Sequence, residues 1–298
     1  FTMVATAIQS NLVFSGDTLY IEPGHIETGS IQITKRLTII GPGFSIVENN
    51  YNLMNADDAT LQGIDIISDS VHLSGLKITG KIYCNNYSSN HTNYLSIDNC
   101  YITVSGRAMW LGGTGIQIKG CYIYGYINCG GEGREEYYTT TACTFENNIV
   151  YGQIRGTERM INWIVRNNTI VSSRDDENYV VSGLSQSTIS NNIIINTSTG
   201  YRTQTNEDQS IDTIFYKHYA LEDKTSLNND VHNNIISNNT NPNFFNSVFN
   251  ASVEDVLIWN GANTLEEKYK HKTPGPAVGA GVNGTTCGAY GAVNGSRP

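Results

Sequence analysis

The sequence VRNNTIV at residues 165–171 has two close copies further along the chain, ISNNIII at 189–195 and VHNNIIS at 231–237. Looser copies precede it, namely LSGLKIT at 73–79, SIDNCYI at 96–102, QIKGCYI at 117–123 and FENNIVY at 145–151. Aligned on the residue after the turn, the copies give a column of marker residues: Leu76, Cys100, Cys121, Asn148, Asn168, Asn192 and Asn234. Successive markers are 24, 21, 27, 20, 24 and 42 residues apart. A repeat of this length indicates a solenoid.

Apolar residues flank every marker at fixed offsets. Three residues before the markers stand Leu73, Ile97, Ile118, Phe145, Val165, Ile189 and Val231. Two residues after them stand Ile78, Ile102, Ile123, Val150, Ile170, Ile194 and Ile236. A strand–turn–strand unit of this kind buries its inner face only by stacking on its neighbours, which predicts a parallel β-helix. A β-sandwich with Asn-rich loops would explain the polar content, but it would not explain the fixed flanks.

The asparagine markers predict a hydrogen-bonded column at one turn. Neighbouring coils lie about 4.8 Å apart, and each amide both donates and accepts a hydrogen bond. We therefore expect Asn148, Asn168 and Asn192 to stack inward, with Asn234 continuing the ladder. Cys100 and Cys121 should be buried neighbours earlier in the same column.

The repeat resembles the right-handed parallel β-helix of the pectin-lyase-like superfamily over most of the chain, and two further stretches add to the resemblance. SGDTLYIEPGHI at 15–26, followed by KRLTIIGPG at 35–43, resembles the opening coils of the pectin-lyase-like superfamily. TPGPAVGAGVNGTTCGAYG at 273–291 resembles the closing segment of its secreted bacterial members. The resemblance implies an all-β, single-stranded, right-handed parallel β-helix. It does not imply one activity, because this fold is used by lyases, hydrolases, isomerases and binding proteins.

The predicted domain organisation is one continuous solenoid with a cap at each end. Residues 1–13 form the N-terminal cap, in which the apolar spacing of 4–13 predicts a short helix. The β-helix occupies 14–249, with early strands at 18–22, 31–34 and 37–40. A long insertion lies around 197–228, and a short helix within it is one option. Residues 250–298 form a capping tail along or over the final coil.

Composition limits the partners. The net charge of −9 argues against nucleic acid and anionic membranes, and no apolar run approaches the roughly 18 residues of a spanning helix.

The six cysteines lack zinc-type spacing. The single glycine-rich match at 130–135 has Glu where a calcium-binding repeat needs Asp, so calcium is not signalled and no cofactor is expected. The chain begins with Phe1, so we expect either a removed leader or a longer native protein.

A second regularity predicts a substrate face. In four coils a glycine ends the strand after the marker and a short run follows it, namely at Gly80, Gly106, Gly125 and Gly152. In the next coil the run YVVSG at 179–183 has the same place. Alternation places one set inside: Ile82, Ala108, Ile127, Ile154 and Val180. The first outward column is then Lys81, Arg107, Tyr126, Gln153 and Tyr179. The second outward column is Tyr83, Met109, Asn128, Arg155 and Val181. In the resembled family, the sheet at this place commonly lines the substrate groove.

The outward residues suit an acidic glycan, because tyrosine rings stack on sugars and Arg or Lys pairs with carboxylate or sulfate. A solvated strand face of good β-formers explains the same residues. The candidate catalytic residues are Arg155, Arg107, Lys81, Glu135 and Glu158. The candidate substrate-binding residues are Tyr83, Tyr126, Asn128, Gln153 and Tyr179. Loop acids on adjacent coils would lie about 5 Å apart, near the separation found in retaining glycosidases, although loop acids are often merely solvated.

Two functions therefore stay open. The first is a lyase or glycoside hydrolase that acts on an acidic polysaccharide. The second is a non-catalytic carbohydrate-binding or adhesive module of the cell surface. The second would explain why the polygalacturonase-like and pectate-lyase-like signatures are missing from the sequence. From the resemblance we expect a secreted or cell-surface bacterial protein with a polysaccharide or cell-surface glycan as partner. A phage or surface-fibre protein would form a tight trimer, but the sequence shows no exposed apolar seam, so we expect a monomer, and no membrane insertion.

Overall fold

Strands dominate the structure, and they pair in parallel from one coil to the next. The structure is a computed structural model that describes residues 2–43, 58–84, 92–129, 139–156, 160–173, 179–198, 201–205, 211–215, 219–222, 228–237, 247, 252–260, 262, 265–281 and 287–289. Within these ranges the strands form three parallel sheets and one antiparallel hairpin. The chain is therefore the parallel β-helix that its repeats predict.

Sheet 1 holds one strand from each coil, in the part of the coil that precedes the marker residue. Its nine strands are β1 (Thr18–Tyr20), β3 (Thr38–Ile40), β5 (His72–Ser74), β8 (Ser96–Asp98), β11 (Gln117–Lys119), β14 (Thr144–Glu146), β18 (Ile164–Arg166), β22 (Thr188–Ser190) and β27 (Asp230–His232). The central residue of each of these strands from β3 onward is buried, and its two neighbours face outward. This alternation produces the apolar position three residues before each marker.

Sheet 2 follows the marker and has up to two strand segments per coil. The first segments are β2 (Ile26–Ile33), β4 (Thr60–Ile66), β6 (Lys77–Ile78), β9 (Tyr101–Leu111), β12 (Tyr122–Cys129), β15 (Ile149–Tyr151), β19 (Thr169–Ser172), β23 (Ile193–Asn196) and β28 (Ile235–Ile236). The second segments are β7 (Ile82–Cys84), the later halves of β9 and β12, β16 (Ile154–Gly156), β20 (Tyr179–Val181) and β26 (Tyr219–Leu221). The predicted inward residues of the second segments are all buried.

Sheet 3 is short and closes the coil before sheet 1 begins again. Its strands are β10 (Gly113–Thr114), β13 (Thr140–Thr141), β17 (Met160–Ile161) and β21 (Leu184–Ser185).

Two columns of left-handed residues turn the chain at either end of sheet 1. The turn before sheet 1 uses Ser70, Tyr94, Gly115, Ala142, Asn162, Gln186 and Asn228, all with positive φ. The turn after it uses Gly75, Asn99, Gly120, Asn147, Asn167, Asn191 and Asn233. The two turns are five residues apart in every coil, so the stretch through sheet 1 has constant length. All variation in the repeat therefore falls in the part of the coil that contains sheets 2 and 3.

The asparagine ladder forms as predicted. The Nδ2 of Asn148 donates to Oδ1 of Asn168 at 3.1 Å, Asn168 donates to Asn192 at 2.9 Å, and Asn192 donates to Asn234 at 3.0 Å. All four side chains are fully buried. The backbone N–H of Cys121 donates to Oδ1 of Asn148 at 2.9 Å, which continues the column into the earlier coils.

The cysteine prediction is also confirmed. Cys100 and Cys121 are buried, free and in side-chain contact on adjacent coils. Inside the coils, apolar residues from the three sheets, many of them Ile or Val, fill one core that runs from Val4 to Ile236.

A short helix, α1 (Val4–Gln9), covers the first coil, with Val4, Ala7 and Ile8 buried against the core. It ends four residues before the predicted boundary. The Lys35 ammonium donates to the carbonyls of Ser10 and Val13 at 2.9 and 2.8 Å, which holds the residues after the helix in an extended turn.

The insertion between β23 and β26 contains an antiparallel hairpin, β24 (Tyr201–Thr205) with β25 (Ile211–Phe215). The optional helix is wrong for the described residues of this region. Because β26 returns to sheet 2 beside β20, the 42-residue step is a single coil with an inserted excursion.

The C-terminal segment packs along the outer face of sheet 2. It contains α2 (Val253–Val256) and α3 (Leu265–Lys268). Its side chains Val256, Leu257 and Tyr269 form a second apolar cluster with outward residues of the first segments, such as Tyr122 and Ile193. The Gly288 N–H donates to the Asn191 carbonyl at 2.7 Å. The tail therefore lies along the coils, over the first segments of sheet 2. We call the break between the first and second segments, at Gly106, Gly125 and Gly152, the glycine bend.

Candidate functional site

A β-bulge sets the geometry of the outward face in the second segments of sheet 2. Tyr126 of β12 pairs with Arg107 of β9, but Ile127 pairs with Met109, so Ala108 is the extra residue. Gly106 has a φ of +108°, a conformation that favours glycine. From the bulge onward every residue of β9 is shifted by one place relative to β12. The shift turns Met109 inward, where it is fully buried, and Trp110 outward.

The bulge brings two arginines and two aromatic rings into one row. The Arg107 guanidinium lies 4.2 Å from the centroid of the Trp110 ring and 5.7 Å from the centroid of the Tyr126 ring. The Arg155 guanidinium lies 4.2 Å from the Tyr126 centroid. The coil of Tyr126 is thus between the coils of the two arginines. We call Trp110, Arg107, Tyr126 and Arg155 the cation–aromatic strip.

Neighbouring residues extend and fix the strip. Tyr83 is level with Trp110 on the preceding coil, and the two ring centroids are 6.2 Å apart. The Arg155 Nε–H donates to Oε1 of Gln153 at 2.9 Å. Gln153 is fully buried, so it holds the guanidinium rather than facing a ligand itself.

The strip is a local cationic surface on an acidic chain. Both guanidinium centres lie near one ring centroid, so they are separated by no more than the sum of 4.2 and 5.7 Å. The four side chains of the strip are all partly exposed. The two guanidinium groups lie over aromatic rings, and their N–H groups are hydrogen-bond donors. The arrangement can bind carboxylate or sulfate groups beside an aromatic surface.

The other predicted residues differ in their placement. Lys81 is exposed at the start of the β7 run, and Asn128 lies in the outward column but is only 7% exposed. Val181 pairs with Ile154 and is buried, so its predicted outward position is wrong. Gln153 is one residue before Ile154, whereas Tyr179 is two residues before Val181, so Tyr179 is not level with Gln153 on the next coil. Met109 is likewise wrong as an outward residue, because of the bulge.

The predicted loop acids lie outside the described residues. These are Glu132, Glu135 and Glu136 of the 130–138 loop and Glu158 of the 157–159 turn. The placement of Glu135 and Glu158 as catalytic residues therefore stays a prediction.

Trp110 is the residue of the strip that sequence reasoning missed. Strict alternation in the run RAMWL at 107–111 places Trp110 inward. The signal that could have found it is the glycine before this run together with two successive apolar residues, Ala108 and Met109, both of which are buried. Two adjacent inward residues are the mark of a bulge.

Several pairs of charged or titratable side chains lie elsewhere in the described ranges. On the outer face of sheet 1, Arg166 Nε lies 2.9 Å from Glu146, and His72 Nε2 lies 2.8 Å from Asp98. On sheet 2, the Lys77 ammonium and the Asp58 carboxylate form a buried pair at 3.2 Å. None of these pairs brings two cations together, as the strip does with Arg107 and Arg155.

The described ranges contain neither a cluster of metal-binding side chains nor a membrane-spanning helix. Within them, no three His, Cys, Asp or Glu side chains are grouped so that they could hold a metal ion. None of the described helices has the length and apolar character needed to span a bilayer.

Neither a protein-family model nor a curated protein sequence matches this chain. Among solved structures, the chain is similar to an arginine-to-alanine mutant of AlyGC, a PL6 family alginate lyase, with 11% identity and a TM-score of 0.26. The similarity covers 82% of this chain and 52% of the lyase, so the chain spans about half the length of that protein. This likeness is too weak to assign an activity. The parallel β-helix rests on the strand pairings of the chain itself.

Proposed function

We propose that this protein binds an acidic polysaccharide on the cation–aromatic strip. The observation that carries the proposal is the row Trp110–Arg107–Tyr126–Arg155, with guanidinium-to-ring distances of 4.2, 5.7 and 4.2 Å. Aromatic surface for sugar rings and fixed cations for acidic groups are the two elements that recognition of such a polymer needs. We also propose that the protein is bacterial and works in secreted or cell-surface form, where it would meet polysaccharides.

Position in the fold supports this proposal. The strip lies in the part of the coil where all variation in repeat length falls, and variable loops beside a rigid scaffold are where binding functions concentrate. The strands that carry it are fixed by the buried core, since Ile127 and Ile154 beneath it are fully buried. Rigid support lowers the entropy lost on binding.

Catalysis is the second candidate, favoured by the contact between Arg155 and Tyr126. In a β-eliminating lyase, a cation neutralises the uronate carboxylate and a base removes the adjacent proton. Arg155 and Arg107 would neutralise the carboxylate, and Tyr126, as the phenolate, would accept the proton. The carbon–carbon double bond would form as the glycosidic C–O bond breaks, and the leaving oxygen would take the proton from Tyr126. Hydrolysis would instead need carboxylic acids, and the predicted ones lie on the 130–138 and 157–159 loops.

The proposal is tested by measuring affinity for polygalacturonate, alginate and hyaluronate against neutral dextran, with ultraviolet absorbance and reducing ends followed in parallel. We expect binding of at least one acidic polymer, weakened by salt because charges are screened. Arg107→Gln and Arg155→Gln should each weaken it about ten-fold or more, through loss of a charge-assisted hydrogen bond. Gain of absorbance would add lyase activity to binding.

Arg166→Gln is the matched control. It removes the same charge from the outer face of sheet 1, where Arg166 is paired with Glu146, and we expect no change in affinity. Equal losses in the three variants would mean that net charge alone drives binding, and would contradict the proposed site. Failure of all three acidic polymers to bind would contradict the proposed function.

A further inference from the structure

A second group of aromatic rings lies on the same coils as the strip, across the glycine bend. Tyr124 of β12 and Tyr151 of β15 are level on adjacent coils, and their rings stack with centroids 5.5 Å apart and planes 18° apart. Trp259 of the C-terminal segment stacks on Tyr151 at 6.1 Å and 29°. The three rings form a row, which we call the aromatic shelf.

The end of this row is open. Tyr124 is 40% exposed. The residue level with it on the preceding coil is Thr103, whose side chain is too small to cover an aromatic ring. A partly uncovered tyrosine ring on a rigid strand is a surface on which a sugar ring can stack.

A cation accompanies the shelf. The Lys268 ammonium lies 3.9 Å from the Trp259 centroid and 5.9 Å from the Tyr151 centroid. It makes no ion pair with any carboxylate in the described ranges, in contrast to Arg166 and Lys77. Partial burial lowers the pKa of Lys268, because it removes part of the hydration of the ammonium group. An anionic group from a ligand would compensate that loss.

Anchoring the C-terminal segment does not explain these features. The segment is already held by Tyr269, which is 1% exposed and packs edge-on against both Tyr122 and Trp259. Neither the exposed ring of Tyr124 nor the ammonium of Lys268 is needed for that packing.

We propose that the aromatic shelf, formed by Tyr124, Tyr151 and Trp259 with Lys268, is a second subsite that binds a further acidic sugar of the polysaccharide held by the strip. The identity of the ligand rests on the proposed function, whereas the site itself rests on the shelf geometry. Tyr151 and Arg155 are four residues apart on one coil, a span of at most about 13 Å at strand spacing. One oligosaccharide lying across the coils would reach both subsites, and the C-terminal segment would form part of the binding surface.

Tryptophan fluorescence separates the two subsites. The chain has three tryptophans. Trp163 is 1% exposed in the core, Trp110 lies in the strip, and Trp259 lies in the shelf. Trp110→Phe therefore leaves Trp259 as the reporter of the shelf, and Trp259→Phe leaves Trp110 as the reporter of the strip. Each variant is titrated with polygalacturonate, alginate and hyaluronate.

We expect a saturable fluorescence change in both variants. We also expect Lys268→Gln to weaken binding of the polymer about ten-fold, because it removes a partly desolvated cation. Lys272→Gln removes the same charge from an exposed position of the same segment and should leave affinity unchanged.

The other outcomes contradict the shelf, the strip or both. A response from Trp110 alone, with Lys268→Gln binding as the unmodified protein does, would overturn the shelf and leave the proposed function standing. A response from Trp259 alone would retain the shelf and overturn the strip. No response from either tryptophan would overturn both.

Discussion

In four of the coils, one buried asparagine side chain supplies hydrogen bonds to the backbone at the turn. Asn168 shows how: its Nδ2 donates to the Phe145 carbonyl at 2.8 Å and to Oδ1 of Asn192 at 2.9 Å. Its Oδ1 accepts from the N–H and the Nδ2 of Asn148 at 2.9 and 3.1 Å. Without this amide the buried Asn148 N–H would lose its acceptor, and the Phe145 carbonyl and the Asn148 and Asn192 side chains would each lose one hydrogen bond.

Replacement of Asn168 by Ala should therefore destabilise the protein strongly. The change removes hydrogen bonds from buried groups on two coils and leaves the Asn148 N–H without its side-chain acceptor, and an unpaired buried group alone costs about 1–3 kcal/mol. We expect the free energy of unfolding to fall by about 3 kcal/mol or more in urea denaturation. The adjacent control is Asn167→Gly, at a φ of +56°, which should be close to neutral because glycine accepts this conformation. Similar losses in both variants would contradict the ladder.

Sequence alone predicts the ladder but not the whole strip, for a physical reason. Asparagine spacing and apolar flanks are local and repeat, so they fix the turn of Asn148, Asn168 and Asn192. A bulge adds one residue without changing composition, and alternation read through it puts Trp110 inside and Met109 outside. The rings that come together across coils, such as Trp110 with Tyr83, depend on that register.

At the scale of elements, the position of the C-terminal segment is the feature that the sequence predicts least well. Its contacts reach back across the chain, as when the Ala289 N–H donates to the Thr169 hydroxyl at 3.1 Å. Within the segment, residues around Leu257 and His271 pair through an antiparallel bridge. No periodicity marks these contacts, because the segment matches a surface rather than a repeat.

Acid should weaken the attachment of this segment. Burial lowers the pKa of His271 from 6.5 to about 4, so the attached state holds the neutral imidazole. The stabilisation is complete above pH 6.5 and is lost as pH falls through about 4, because the detached state binds the proton more readily. The loss should approach about 3 kcal/mol near pH 4.

Unfolding of the native protein and of His271→Gln in urea at pH 7 and pH 4.5 measures this effect. The variant should lose less stability between the two pH values than the native protein does. Equal losses would show that His271 is not the group responsible.

At the scale of the whole molecule, the six free cysteines are all buried. Burial raises the pKa of Cys143 and of Cys287 from 9.0 to about 12, and it raises the pKa of Cys84, Cys100 and Cys129 as well. The folded protein therefore keeps these thiols neutral at a pH where the unfolded chain ionises them.

Alkali should consequently destabilise the fold. The contribution of these thiols is fully present below pH 9 and is lost as pH rises towards 12. Each thiol removes about 1.4 kcal/mol of unfolding free energy per pH unit in that window. Urea denaturation at pH 8 and pH 10 measures the loss, and the double variant Cys143→Ala with Cys287→Ala should lose less than the native protein does. A stability that is flat across this range would contradict the burial of the thiols.

The coil as a whole explains why function is harder to predict than fold. Sheet 1 and its two turns have constant length, so seven aligned copies fix them. Sheet 2 and the connections after it vary from coil to coil, and the candidate acids Glu135 and Glu158 belong to those connections. Most of the cation–aromatic strip was predictable, because Arg107, Tyr126 and Arg155 follow glycines on consecutive coils.

The most direct test of the central claim is a crystal structure of the protein bound to an acidic oligosaccharide, either uronate or glycosaminoglycan. The account predicts that ligand carboxylates lie within hydrogen-bonding distance of Arg107 and Arg155, with a sugar ring against Tyr126 or Trp110. A ligand bound to the outer face of sheet 1 or to an end of the solenoid, with the strip empty, would contradict it.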